Sequence, residues 1–199
     1  MAKFLRRAVV AAAVVTALLG GAFAWLDRQV HRETVTPLET LNEGGTAGRA
    51  LAVLSPGMSD FPADVMAAFT SGLAESGWRI DRTTASSQAT TAIGAYDLVV
   101  LASPIYGSRV APPLQDYIAR VGDFGGRRVV AVITAGGNPD DSVTNTETLI
   151  AGHNATLVDI IGYAVYEPND PENRYQGSNT ERAIAMAHDA AVRLAGALQ

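Results

Sequence analysis

Hydrophobic and polar positions fall into two regimes along the chain. Residues 8–26 (AVVAAAVVTALLGGAFAWL) carry no charge over 19 residues, which as a helix is about 28 Å, close to one hydrocarbon core of a bilayer. This run is apolar all round, unlike the one-sided helix of a globular domain. Beyond Arg49 the pattern changes to short apolar runs separated by amphipathic stretches. Residues 50–54 (ALAVL), 98–102 (LVVLA) and 129–134 (VVAVIT) are continuous apolar runs, the pattern of strands buried on both faces of a parallel sheet. Residues 78–82 (WRIDR) alternate and read as a strand nearer the sheet edge, and 156–163 (TLVDIIGY) read as the last strand. After Pro62, which suits a first helical turn, Val65, Phe69 and Leu73 recur at fourfold spacing until Gly77. Further helices are predicted over 114–121, 142–152 and 180–198, the last with Ile184, Ala187, Ala191 and Leu194 on one face. The Thr/Ser/Ala-rich stretch 83–95 is weakly patterned, 103–113 with its three prolines reads as a loop, and so does the polar stretch 167–178.

Strands alternating with helices predict right-handed crossovers and an α/β fold: a five-stranded parallel sheet covered by helices on both faces. Ligands of such sheets bind beyond the carboxyl ends of the strands, so the loops after Leu54, Ala102 and Thr134 are the ones to inspect. The chain divides into an N-terminal segment (1–32), a linker (33–48) containing Pro37 and the Gly44-Gly45 pair, and one domain (49–199).

The N-terminal segment reads as a single-pass membrane anchor, with Trp25 at an interfacial position and Asp27, Arg28, His31 and Arg32 as polar flank. Lys3, Arg6 and Arg7 against Arg28 and Arg32 give a slight positive-inside bias that places the domain outside the cytoplasm. The alternative is a cleaved signal peptide, since Ala22-Phe23-Ala24 resembles an A-x-A cleavage site.

Charge and residue usage narrow the function. From Arg49 onward ten arginines face sixteen Asp and Glu, and no basic stripe is present to neutralise a nucleic-acid backbone, so nucleic acid is not an expected partner. Cysteine is absent, which removes disulfides, thiolate metal ligands and cysteine nucleophiles. Dinucleotide, P-loop, nucleophile-elbow and zincin motifs do not occur. His31, His153 and His188 are far apart in sequence, so no metal site is expected, and His153 reads as a favourable charge near a helix C-terminus. Asp140, Asp141 and the acidic run 167–172 read as solvated loops, and Asn154-Ala155-Thr156 fits a glycosylation sequon.

Residues 96–107 (YDLVVLASPIYG), followed by Pro112-Pro113 and a helix, resemble the third strand and flavin-contacting loop of flavodoxin-like proteins. The resemblance covers the element order of 49–199 and implies a flavodoxin-like three-layer sandwich with strand order 2-1-3-4-5 and FMN as cofactor. It implies that Ser103, Pro104, Ile105, Tyr106 and Gly107 lie against the isoalloxazine ring, and that Ala135, Gly136 and Gly137 pass its other edge. In the family the first loop wraps the FMN phosphate with a Ser/Thr-x-Thr-Gly-x-Thr run. Here Ser55, Gly57, Met58 and Ser59 are its candidates; Ser55 and Ser59 supply hydroxyls, Pro56 lacks an N–H, and Asp60 adds a carboxylate whose other reading is a helix cap. Arg109 faces either an anionic ligand or solvent.

The leading reading is a membrane-tethered FMN protein acting in electron transfer or flavin-dependent reduction, in which the isoalloxazine carries the chemistry and no catalytic side chain is required. A redox partner protein or a quinone-like acceptor would complete it. The alternative is a flavodoxin-like scaffold without tight FMN binding, serving as an interaction or regulatory module at the membrane. A third reading is a quinone- or porphyrin-directed oxidoreductase of the same superfamily.

Overall fold

The computed structural model describes residues 2–170, 172 and 177–199, so 171 and 173–176 of the expected polar loop lie outside it. The chain divides into two units, Met1–Arg32 and Glu33–Gln199. The first is helix α1 (Ala2–Val30). Within Val9–Val30 an 18-residue window has a mean hydropathy of 2.2, and the stretch is long and apolar enough to cross a membrane.

The second unit is built on one sheet: β1 (Glu39–Leu41), β2 (Gly48–Leu54), β3 (Trp78–Thr84), β4 (Leu98–Tyr106), β5 (Arg109–Val110), β6 (Arg128–Ala135) and β7 (Thr156–Ala164). The spatial order is β1-β3-β2-β4-β6-β7, with β5 hooked back onto β4. Strands β3, β2, β4, β6 and β7 are parallel and reproduce the expected order 2-1-3-4-5. Alternate residues of each strand face opposite cores, as the pleat requires. Ala50, Ala52, Val100 and Val130 meet α2 (Phe61–Glu75) and α5 (Asn179–Leu198) on one face, while Leu51, Val53, Val99 and Leu101 meet α3 (Pro112–Val121) and residues of α4 (Asp140–Ala151) on the other.

Helices α2 and α5 approach so closely that a Cβ at Gly72 would stand 2.5 Å from the His188 carbonyl oxygen and 3.0 Å from the Ala191 Cβ. The alanine stripe of α5, with Ala183, Ala187 and Ala191 fully buried, is what permits that distance.

Four expectations are corrected. The segment 33–48 is no loose linker. Thr36 and Thr84 exchange backbone-to-hydroxyl hydrogen bonds of 3.1 Å each way, Glu33 accepts from the Ser87 amide and hydroxyl, and β1 pairs antiparallel with β3. A three-residue edge strand is too short to show periodicity. Gly45, read as a source of flexibility, instead lets backbones approach, since a Cβ there would lie 2.6 Å from the Arg79 amide nitrogen. Second, the β3–β4 crossover contains no α-helix, only a 3₁₀ turn at Ile93–Ala95; Ala85, Ala89, Ile93 and Tyr96 cover the sheet there directly. Third, the expected loop from Ser103 is strand as far as Tyr106, because Pro104 keeps its carbonyl, which accepts from the Ala111 amide at 3.1 Å. Fourth, Asp60 occupies the N-cap position of α2 but makes no side-chain cap bond, its backbone being helical (φ −74°, ψ −17°) rather than in the extended region a capping side chain needs.

In the middle of β3 Asp81, 1% exposed, accepts hydrogen bonds from Thr40 Oγ1 (2.7 Å), Tyr96 Oη (2.9 Å) and Arg49 Nη2 (2.5 Å). The Arg49 guanidinium also stacks 4.7 Å from the Tyr96 ring centroid. Burial pushes the Asp81 carboxyl up, but the hydrogen bonds from Thr40, Arg49 and Tyr96 together with the Arg49 charge outweigh it and hold the group below its ordinary value.

Two outcomes follow for urea unfolding. Gly72→Val should destabilise the domain by about 1–3 kcal/mol by forcing α2 and α5 apart. Asp81 has a folded-state pKa below its unfolded one, so its stabilisation is present above about pH 4 and lost as pH falls through the folded-state value. Asp81→Asn should cost about 1–3 kcal/mol at neutral pH and flatten the acid side of the stability profile.

Candidate functional site

Parallel strands deliver their carboxyl ends, and the helices that follow them, to one end of the sheet. The segments leaving β2, β4, β6 and β7 there form a cleft of about 240 Å³ lined by Met58, Ser59, Phe61, Pro62, Pro104, Ile105, Tyr106, Thr134, Ala135, Gly136, Val165 and Tyr166.

Two tyrosines shape it. The Tyr106 hydroxyl accepts from the Met58 amide at 3.3 Å, fastening the β2–α2 loop to the end of β4. Tyr166 is 85% exposed although it lies on the cleft, and its ring edge stands 3.7 Å from where a Gly136 Cβ would be. Backbone bonds from the Val165 and Tyr166 amides to the Ala135 and Gly136 carbonyls, both 2.9 Å, carry the β6–β7 ladder into the cleft wall.

Thr134 lies buried in the lining, and its hydroxyl has no partner among the described residues; the Ser55 hydroxyl at the end of β2 is in the same state. A buried hydroxyl left unmade costs about 1–3 kcal/mol. Because Thr134 belongs to the lining, its unpaired hydroxyl lies just beneath the cleft surface.

Of the twelve residues singled out from the sequence, Met58, Ser59, Pro104, Ile105, Tyr106, Ala135 and Gly136 line this cleft. The other five stand behind it. Ser55 is fully buried, its amide bonded to the Ala102 carbonyl at 2.9 Å. Gly57 leaves room for Pro62, whose Cγ would lie 2.9 Å from a Cβ there. The Ser103 hydroxyl accepts from the Ala111 amide and donates to the Pro104 carbonyl, both at 2.8 Å. Gly107 and Ser108, with φ of 55° and 61°, make the two-residue turn of the β4–β5 hairpin, where both central positions need positive φ. A Cβ at Gly137 would meet Glu167 Oε1 at 3.3 Å. Phe61, Pro62, Thr134, Val165 and Tyr166 line the cleft without having been singled out; an aromatic directly beyond the last strand was the available signal for Tyr166.

Among the described residues the lining holds no charged side chain, and exposed Asp60 precedes the first residue of α2. Arg109 lines a separate cavity with Asn145, Thr146 and Leu149. The arrangement suits a flat aromatic ligand that can pack on Tyr106 or Tyr166 and present a polar edge to the Thr134 hydroxyl.

No family model and no curated protein matches the chain. Solved structures do. An NAD(P)H:quinone oxidoreductase from Methanothermobacter marburgensis is 17% identical, with a TM-score of 0.54 over 75% of this chain and 96% of that one. A flavodoxin from the domain Archaea is 11% identical, with a TM-score of 0.54 over 75% and 98%. The azoreductase AzrA is 13% identical, with a TM-score of 0.52 over 75% and 99%. The likeness establishes the fold, which is flavodoxin-like.

Thr134→Val removes the orphaned hydroxyl at nearly constant shape. Ligand-free protein carrying it should be about 1 kcal/mol more stable in denaturant titration, while ligand affinity at the cleft falls. A loss of stability in the ligand-free variant would mean that the hydroxyl has an internal partner.

Proposed function

We propose that the flavodoxin-like domain holds a flavin by its ring system in the cleft beyond β2, β4, β6 and β7, and serves electron transfer or flavin-dependent reduction at a membrane to which α1 tethers it. The observation that carries this reading is the unpartnered Thr134 hydroxyl on a cleft walled by Tyr106 and Tyr166. The solved neighbours include a flavodoxin, a quinone oxidoreductase and an azoreductase, which supports the same chemistry. FMN is the flavin that the sequence resemblance implies.

A bound flavin supplies the electron storage; this chain's residues position it. Tyr106 and Tyr166 offer ring faces, Thr134 offers a hydrogen bond to the polar edge, and Gly136 keeps that side free of a Cβ. The site is open, as the exposure of Tyr166 and Met58 indicates, so a partner can approach the ring. A redox protein or a quinone-like acceptor is the proposed partner, and the apolar α1 would hold the domain near a lipophilic one. The slight charge bias around α1 favours an extracytoplasmic domain.

The acidic, amide-poor mouth of α2 favours a second reading, a scaffold that binds no flavin tightly and works through protein contacts.

The full-length chain purified in detergent micelles should quench flavin fluorescence with a Kd in the micromolar range or below, a free energy of about −8 kcal/mol. Tyr106→Ala and Tyr166→Ala should each weaken binding about three- to tenfold. Absence of quenching by FMN and by riboflavin at high micromolar concentration would favour the scaffold. Resistance of the intact chain to extraction from membranes by alkaline carbonate, and its loss when 1–32 are deleted, is the expected result for the anchor.

A further inference from the structure

We infer that the cleft selects an uncharged isoalloxazine, the ring of riboflavin without a phosphate, over FMN; this deepens the flavin reading above and rests on it. An anion bound at the carboxyl end of a parallel sheet has two sources of stabilisation, a cationic side chain or the free amides and positive dipole at a helix N-terminus. Among the described residues no lysine or arginine lines the cleft.

The N-termini of the four helices that begin at this end carry prolines, carboxylates or amides already engaged by neighbouring residues. At α2 the first-turn residue Pro62 and the preceding Pro56 have no N–H, the Met58 amide is given to Tyr106, and the exposed carboxylate of Asp60 stands at the cap. Helix α3 begins with Pro112-Pro113, and the Ala111 amide before them is taken by Ser103 and Pro104. Helix α4 opens with Asp140-Asp141, the Asp140 amide being bonded to Asn138 Oδ1 at 2.9 Å. Helix α5 is closed by a capping box, in which Ser178 and Glu181 bind each other's amides.

The cleft therefore keeps the features that hold a flat, neutral ring while every adjoining helix N-terminus lacks free donors or carries a carboxylate. A phosphate dianion brought to the α2 mouth meets the Asp60 charge with no cation in the lining to offset it. Riboflavin escapes that repulsion.

The test is a pair of titrations of the full-length chain in detergent micelles, with riboflavin and with FMN, at roughly 20 mM and 500 mM salt. Riboflavin should bind at least as tightly as FMN, and FMN should gain on riboflavin at high salt as the repulsion is screened. Asp60→Asn should tighten FMN about three- to tenfold at low salt and leave riboflavin within about twofold. FMN binding more than about tenfold tighter than riboflavin would overturn the selection while leaving the flavin reading intact. If neither flavin binds, the flavin reading itself fails and the selection with it.

Discussion

Burial of both faces of one parallel sheet is the constraint on which the rest of this domain depends. β2, β4 and β6 are apolar on both sides, so helices must cover each face, and right-handed crossovers are how the chain supplies them. That geometry sends the carboxyl ends of the strands and the N-termini of α2, α3, α4 and α5 to the same end of the sheet. Asp81 binds residues of β1, β2 and the turn before β4 at once, so the edge added by β1 is locked to the parallel core through a fully satisfied carboxylate.

The same constraint defines the site and gives it an unusual character. Four helix N-termini at one end of a sheet would ordinarily make a strongly anion-attracting region. In this chain prolines remove amides, serine and asparagine side chains occupy others, and Asp60 and Asp140 put negative charge where the dipoles are positive. Among the described residues the cleft offers aromatic faces, the Ser59 side chain, backbone edges and the buried Thr134 hydroxyl, a set suited to a neutral flat ring. Tyr106 links both aspects: its hydroxyl takes up the Met58 amide, which would otherwise be a free donor, while its ring lines the cleft.

Much of this was legible in the order of residues. Continuous apolar runs at 50–54, 98–102 and 129–134 specify buried parallel strands whatever their partners, and the fourfold spacing of Val65, Phe69 and Leu73 specifies which face of α2 is inside. Pro56, Pro62, Pro112, Pro113 and Asp60 act through their own backbone or charge, so the departure of the first loop from the Ser/Thr-x-Thr-Gly-x-Thr run was also visible before any fold was known. The apolar, uncharged N-terminal run needed no partner to be recognised either.

Tertiary structure alone decided what depends on residues distant in sequence. Glu39–Leu41 becomes a strand only because β3 offers an edge, and Gly45 is required only because Arg79 passes against it. Asp81 is harmless in the core only because Thr40, Arg49 and Tyr96 arrive from three other segments. Ser103 and Gly107 sit in the most recognisable motif of the chain, yet strand pairing turns one to the Ala111 amide and places the other in a hairpin turn, while Thr134 and Tyr166 face the cleft. Local sequence determines conformation and charge, because those belong to each residue; which side chains share a cavity is set by register and crossover, which exist only once the sheet has formed.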